Sequence, residues 1–337
     1  MSDGTPTKSQ EVRLVSYPDG ELSLDHFEVA VTELAEPEPG QVVVRNDWMS
    51  LGTVYRDQMQ SSLDIPIPVF QLGQPMWGRT VGTVVKSASP DLAVGDLVEH
   101  FSGWRDHVVG YAGQFFKRDP ELFPGSEYFL SNGPTAWRGL AEIAKVREGD
   151  VVFVSGATSG VGCLAAHIAK ALGAAKVIGS TGSPQKIDFL VREAGYDAAF
   201  DYHDGPVADR LRELAPDGIT VFFDNVGGEQ FEAAVQAAAP GARFALCGSL
   251  AAQHGEDARP RLDLTSLIPR ELSFQGFATL HTPQQIEDWN TQFGAWLAEG
   301  RISFPHTVVE GGVAALPQAM IDLLKGRLSG TALVRLS

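Results

Sequence analysis

One stretch limits what this chain can fold into more than any other: residues 150–172, DVVFVSGATSGVGCLAAHIAKAL. Asp150–Ser155 is an apolar run of strand length. A glycine turn follows, and Val161–Leu172 then carries apolar residues at helical spacing. A buried strand that runs through a tight turn into a helix is the opening unit of a parallel sheet covered by helices. The pattern then repeats. KVIGS (176–180) reads as a second strand, and Pro184–Ala194 as a helix with proline near its start. AAFDY, ITVFFDNV and ARFALCG continue as strands with helical stretches between them, and ELSFQGF around Phe274 offers a sixth. A helix is expected from about Pro283 to Ala298. The expected class is α/β, with a doubly wound parallel sheet.

Before about Pro124 the chain reads differently. QVVVRNDWMSL, GRTVGTVVKSAS and GDLVEHFSGWRDHVV are short strands broken by Gly, Pro and Asp, with no sustained helical period. That is the signature of an all-β unit, a sandwich or a barrel. GRISFPHTVVEGG returns to β-like sequence late in the chain, and the C-terminal TALVRL is expected to rejoin the N-terminal β unit. A length of 337 residues fits two domains. Residues 1–10 read as a frayed tail.

Composition excludes some roles. A formal charge of −16 argues against nucleic-acid and anionic-membrane partners, both of which need basic surface. Two cysteines, Cys163 and Cys247, cannot build a disulfide framework or a cysteine-rich zinc site, and they read as small buried residues in a reduced compartment. The start, MSDGTPTKSQ, has no apolar signal segment, and no apolar run approaches the roughly 20 residues of a membrane span. A cytoplasmic protein is expected.

The glycine turn, VSGATSGVG over 154–162, sits where a dinucleotide pyrophosphate would meet a helix N-terminus. There the free N–H groups and the helix dipole favour negative charge. An NAD site usually carries an Asp or Glu at the end of the second strand to bind the ribose 2′-hydroxyl. Here that place reads Gly179-Ser180-Thr181-Gly182-Ser183, with Lys186 just beyond. Hydroxyls and a base suit a 2′-phosphate that a carboxylate would repel, so NADP(H) is expected. The turn also looks like a short-chain dehydrogenase fingerprint, but none of the six tyrosines has a lysine four residues later.

SGWRDHVV (102–109), NGPTAWRGLAEIAKVREGDVVFVSGATSGVG (132–162), FDNVGGEQF (223–231), ALCGSL (245–250) and SFQGF (273–277) together span most of the chain. On these segments it resembles the medium-chain dehydrogenase/reductase superfamily. Within it the likeness is to the zinc-independent leukotriene B4 dehydrogenase/prostaglandin reductase and alkenal double-bond reductase group. The resemblance implies a GroES-like β domain, 1–127 with 302–337, a Rossmann NADP-binding domain, 128–301, NADPH between them, and a homodimer joined through Rossmann sheets. It implies Thr135 near the nicotinamide, and Gly160, Val161 and Gly162 at the pyrophosphate, with Ser159 standing where the second fingerprint glycine is usual. Thr181, Ser183, Lys186 and Tyr202 would lie around the 2′-phosphoadenosine. Asn225, Cys247, Gly248 and Phe277 would line the cofactor groove. No metal is implied, since no cysteine precedes Cys163 to hold a catalytic zinc.

The reaction so implied is hydride transfer to the β-carbon of an α,β-unsaturated carbonyl compound. The enolate needs hydrogen-bond donors and its α-carbon a proton. Tyr55 is the first candidate for donor and acid, against the alternative that it only packs, and His254 is the second, against that of a loop histidine. Trp48, Trp77, Phe101 and Trp104 are candidates for an apolar pocket, or else core. The substrate side departs from the group: a tyrosine usual after the Cys-Gly pair falls near Gln253, and a cofactor-contacting asparagine aligns with Leu328. Tyr55-Arg56-Asp57 matches a run common in quinone reductases. A quinone reductase, a biosynthetic double-bond reductase of narrow substrate range, and a non-catalytic NADPH-binding protein therefore stand as alternatives.

Overall fold

The computed structural model describes residues 7–63, 67–253 and 259–337, which form two compact units. One comprises residues through Ser131 with His306–Leu328 and Ala332–Ser337; the other comprises Asn132–Pro305 with Ser329–Thr331.

The first unit is built from β-strands. β1 (Lys8–Leu14) and β2 (Phe27–Glu33) pair antiparallel. β3 (Gln41–Leu51) is followed by a short helix, α1 (Val54–Gln58), then β4 (Thr80–Ser87), β5 (Leu97–His100), β6 (His107–Tyr111) and β7 (Phe116–Lys117). β3 is the spine, pairing antiparallel with β4 and β6. Its first half sends Val42 and Val44 into one apolar cluster with Val84, Val98 and Phe115. Its second half sends Met49 and Leu51 into another, with Val12, Leu14, Tyr55, Phe70 and Trp104. Even positions give way to odd ones because the register with β4 shifts between Asn46 and Trp48. One extra residue in a strand turns its alternation over.

Trp104 belongs to this core and not to a pocket. It is fully buried, stacks on Phe27 and meets Tyr55 edge-on. Its backbone N–H donates to Met49 Sδ at 3.1 Å. Trp77 packs on Phe70, 5.0 Å between ring centroids, the Arg335 guanidinium covers Trp48, and Phe101 is exposed.

The second unit opens with α2 (Gly133–Trp137), which widens into a π-helical turn over Arg138–Ile143, where Ala144 N–H reaches back to Gly139 O. β8 (Val151–Val154), α3 (Gly162–Ala171), β9 (Lys176–Thr181), α4 (Ile187–Arg192), β10 (Ala198–Asp201), α5 (Val207–Leu214), β11 (Ile219–Asp224), α6 (Gly228–Gln236) and β12 (Ala238–Leu246) then alternate. Two short helices, α7 (Leu250–Gln253) and α8 (Leu264–Leu267), precede β13 (Ser273–Gly276). The six strands run parallel in the order β10-β9-β8-β11-β12-β13. The order reverses at the β8–β11 boundary, the switch point where such sheets bind ligands at their C-terminal ends. Phe153, Phe222, Phe231 and Phe244 fill the core on the α5–α6 side.

α9 (Pro283–Ala298) matches its expected span because Thr282 caps it, accepting from Gln285 N–H, and proline follows in the first turn. The chain returns to the first unit with β14 (His306–Val309), α10 (Leu316–Leu324) and β15 (Thr331–Arg335), whose Ala332–Arg335 pair antiparallel with β3. The α/β class and the return of the C-terminal strand are both as the sequence leads one to expect.

Candidate functional site

The second unit concentrates its buried polar groups at the C-terminal edge of its sheet. The ends of β8 and β11 are tied there. Ser155 Oγ donates to Asp224 Oδ1 at 2.7 Å and accepts from Asn225 N–H at 2.8 Å, while Asn225 Nδ2 donates to Ser155 O at 2.8 Å. Asp224 Oδ1 also accepts from Val226 and Gly227 N–H, at 3.0 and 2.9 Å. Burial raises the Asp224 pKa, and the bonds from Gly227, Ser155 and Val226 pull against it. This network fixes the two strand ends that flank the switch point.

The glycine turn is shaped by what would collide with a side chain. A Cβ on Gly162 would lie 2.5 Å from Gly156 O, and one on Gly160 would lie 2.3 Å from Asn132 Nδ2. Ser159, at the place of a usual glycine, turns its hydroxyl onto the helix and accepts from Gly162 N–H at 3.0 Å. The residues Ser329–Thr331 close over the same turn: Gly330 N–H donates to Thr158 O at 3.0 Å, and Asn132 Nδ2 to Thr331 Oγ1 at 3.4 Å.

At the end of β9, Thr181 Oγ1 is buried with no hydrogen-bond partner, a hydroxyl able to donate to or accept from a ligand. A Cβ on Gly182 would meet the rings of Tyr202 and His203 at 3.0 and 3.4 Å, so the ends of β9 and β10 meet here. Ser183 Oγ donates to Gln185 Oε1 at 2.6 Å. Lys186 is half-buried, which lowers its pKa. Asp201, in register with Thr181 on the neighbouring strand, accepts from the backbone N–H of His203 at 3.0 Å and lies 2.8 Å from its Nδ1.

On the other side of the switch point, Cys247 and Gly248 N–H both donate to Asp224 O, at 2.8 and 3.0 Å. Burial pushes the Cys247 thiol up to about 12, with Asp224 adding to the effect, so this is no nucleophile at neutral pH. Phe277 follows β13, donating its N–H to Leu246 O at 3.3 Å, with the Arg138 guanidinium 5.9 Å from its ring. Thr135 Oγ1 lies 2.9 Å from His281 Nε2. A cavity of about 370 Å³ opens near the ends of β11 and β12, lined in part by Asp224, Gly227, Phe231, Leu246, Leu262 and Phe274.

Most of the residues singled out in the second unit thus lie along one sheet edge, in the order Tyr202, Thr181 and Ser183, the glycine turn, Asn225, Cys247 and Gly248, Phe277. The donor set fits an NADP nucleotide: a helix N-terminus behind glycines, an orphaned hydroxyl at β9, a lysine five residues further along the chain, and no carboxylate at that strand's end. Sequence reading missed Ser155, Asp224, Arg138 and His281 as members of this edge. Asp224 lies in a run already singled out, but its role appears only once β8 stands beside β11.

Tyr55, the first catalytic candidate, lies in the core of the first unit. Its hydroxyl is buried in the first unit, accepting Arg79 N–H at 3.1 Å and donating to Ser50 O at 3.5 Å. Burial raises its pKa, and Gly78 packs so tightly that a Cβ there would lie 2.5 Å from the Tyr55 oxygen. Arg56, in the run shared with quinone reductases, donates to Gly20 O at 2.9 Å. Leu328 packs against the first unit's core. His254 lies outside the described residues.

Two family models match: an N-terminal domain of oxidoreductase over residues 10–117 and a zinc-binding dehydrogenase over 160–299. Among the described residues no group of three or more His, Cys, Asp or Glu could hold a metal. The NADPH-dependent curcumin reductase of Escherichia coli is 29% identical over 96% of both chains. Prostaglandin reductase 1 of Bos taurus is 30% identical over 95% of this chain and 96% of its own. The crystal structure of CurA from Vibrio vulnificus in complex with NADPH superposes with a TM-score of 0.88 at 27% identity, covering 97% of this chain and 99% of that one. The chain belongs to the medium-chain dehydrogenase/reductase superfamily, among its zinc-independent NADP-dependent oxidoreductases.

Proposed function

We propose that the chain reduces the carbon–carbon double bond of an α,β-unsaturated carbonyl compound with NADPH, giving the saturated carbonyl compound. The observation that carries the cofactor half of this reading is the acid-free end of β9, where Thr181 offers an unpartnered hydroxyl and Lys186 a base. The substrate half is supported by the full-length likeness to the curcumin and prostaglandin reductases. When bound, the cofactor supplies the hydride.

The chain's own residues bind and orient. Thr181, Ser183, Lys186 and Tyr202 hold the 2′-phosphoadenosine, with the lysine ammonium matching the phosphate charge. Gly160, Val161 and Gly162, with Ser159, present the α3 N-terminus to the diphosphate. Asn225, Cys247, Gly248 and Phe277 wall the groove toward the nicotinamide, which Thr135 meets from α2. Tyr55 holds the fold and not the proton; the proton that completes the reduction at the α-carbon comes from water.

We also place the protein in the cytoplasm as a homodimer. No helix among the described residues is long and apolar enough to cross a membrane, and among the described residues β13 ends the sheet, while Leu264 and Ile268, in the segment that precedes it, are exposed. The test is loss of reduced-nicotinamide absorbance with NADPH or NADH against enones, enals, quinones and saturated aldehydes. NADPH-dependent turnover of enones to saturated ketones supports the reading. Turnover of quinones alone, or a preference for NADH, overturns it.

A further inference from the structure

Five residues past β13 the chain brings His281 against α2. Its Nε2 lies 2.9 Å from Thr135 Oγ1. Three residues along, Arg138 donates from Nη1 to the carbonyls of Ala278 and Leu280, at 2.8 and 3.3 Å. Residues spaced i, i+3 share a helix face, so one face of α2 and the π-helical turn that continues it holds Phe277, Ala278, Leu280 and His281. The adjoining Gly139 keeps the approach close, since a Cβ there would lie 2.2 Å from the Phe223 ring and 2.8 Å from the Phe277 ring. The helix widens into its π-helical turn at this place, and such turns concentrate at functional sites.

We propose that His281 is a positioning residue for the nicotinamide end of the cofactor, acting by fixing the direction of the Thr135 hydroxyl. The proposal rests on the reading above that puts Thr135 at the nicotinamide. Strand order supports it: if the 2′-phosphoadenosine lies at β9 and β10 and the diphosphate at the turn after β8, the ring extends toward β11–β13, and His281 follows β13. A threonine hydroxyl has one proton to give and lone pairs to receive. If His281 Nε2 accepts that proton, the Thr135 oxygen meets the carboxamide N–H; if Nε2 donates, the Thr135 proton is free for the carboxamide oxygen. Either way the rotor is locked, and the carboxamide has one favoured orientation. Holding reacting groups in one orientation is where much catalytic advantage arises.

Calorimetric titration of the whole protein with NADPH and with 2′-phospho-ADP-ribose, a fragment lacking the nicotinamide, separates positioning from general structure. His281→Ala is expected to weaken NADPH about tenfold, the size of one buried hydrogen bond, and to leave the fragment within about twofold. Thr135→Val should do the same, and the double variant should be no worse than either single one. His281→Gln, which can still bond Thr135, should recover most of the loss and serves if His281→Ala does not fold. Equal weakening of both ligands, no weakening of either, or additive losses would overturn the proposal. Because the readout is binding, NADPH-tight protein that reduces no enone would sink only the proposed reaction, whereas wild-type protein that does not bind NADPH would sink both.

Discussion

The two units bury polar groups to different ends. In the first, Glu99 bridges Arg79 and Arg118, at 2.9 and 2.8 Å, and Arg79 also donates to the carbonyls of Ser131 and Phe129. Tyr55 closes on two backbone groups. These bonds hold strands and connections to one another. In the second unit, Ser155, Asp224 and Asn225 aim their bonds at the ends of two neighbouring strands, and Thr181 Oγ1 has none. Both units also leave single buried polar atoms without a partner, Asn46 Oδ1, Gln58 Oε1 and Trp104 Nε1 in the first and Thr181 Oγ1 in the second, so the difference lies in placement: the first unit spreads its polar groups between strands and connections, whereas the second gathers them at adjoining strand ends. Substitutions in the two units should therefore read out differently.

The largest effect belongs to the glycine turn. Gly162→Ala would force a Cβ within 2.5 Å of the Gly156 carbonyl, which is backbone and cannot rotate away. We expect NADPH affinity to fall about a hundredfold and stability by about 1–3 kcal/mol, the range of overpacking. A titration showing affinity within a few-fold of wild type would mean the turn is not where the diphosphate binds. Lys186→Ala comes next, with NADPH affinity expected to fall about tenfold and NADH affinity to stay level. Equal losses for both cofactors would show that Lys186 supports the fold and not the 2′-phosphate.

Acid should separate the units, because each buries a titratable group with the opposite sign. His100, in the first unit, is held down to about 3 by burial, with Arg105 adding to it. The unfolded chain protonates near 6.5, so this group's contribution is present above that value and is lost as pH falls toward about 3. Asp224, in the second unit, is raised. Its neutral form is favoured by folding, so its contribution is fully present below the ordinary carboxylate value and is lost as pH rises through its own. On acidification the first unit should loosen ahead of the second. Hydrogen exchange followed from pH 7 downward checks this. His100→Phe should move the loss of protection in the first unit to lower pH, and Asp224→Asn should remove the second unit's advantage. Simultaneous loss in the wild type would contradict both assignments.

How much was legible in the sequence follows how local the dictating chemistry is, not the division between units. The β8–turn–α3 unit and α9 were readable because local chemistry dictates them: a glycine turn between a strand and a helix, and a Thr282 cap followed by proline. β13 could be anticipated from SFQGF. The α2 segment with its π-helical turn was not, since a five-residue helix running into a widened turn has no sustained period. His281 gave no local sign either: it is a lone histidine before a helix, and only the fold sets it beside Thr135, 146 positions away. Between pocket and core, the two readings open for Trp104, the structure decides for core. Its backbone takes a positive φ of 60°, and the ring turns into the core.

Tyr55→Phe should have the smallest effect, and it is the sharpest comparison of the two units. As a packing residue, Tyr55 contributes two bonds to backbone, of which the 3.1 Å bond from Arg79 N–H is the better formed. Removing the oxygen should cost about 1 kcal/mol, seen as a lower denaturation midpoint. Turnover with NADPH and an enone should stay within about twofold, because no proton passes through this hydroxyl. The ring itself remains to fill the space against Phe70 and Trp104. A fall in kcat of about a hundredfold or more, the size expected for loss of a general acid, would return Tyr55 to the chemistry. It would mean that the hydroxyl leaves Ser50 and Arg79 when substrate binds, and that the first unit also keeps buried polarity for the site.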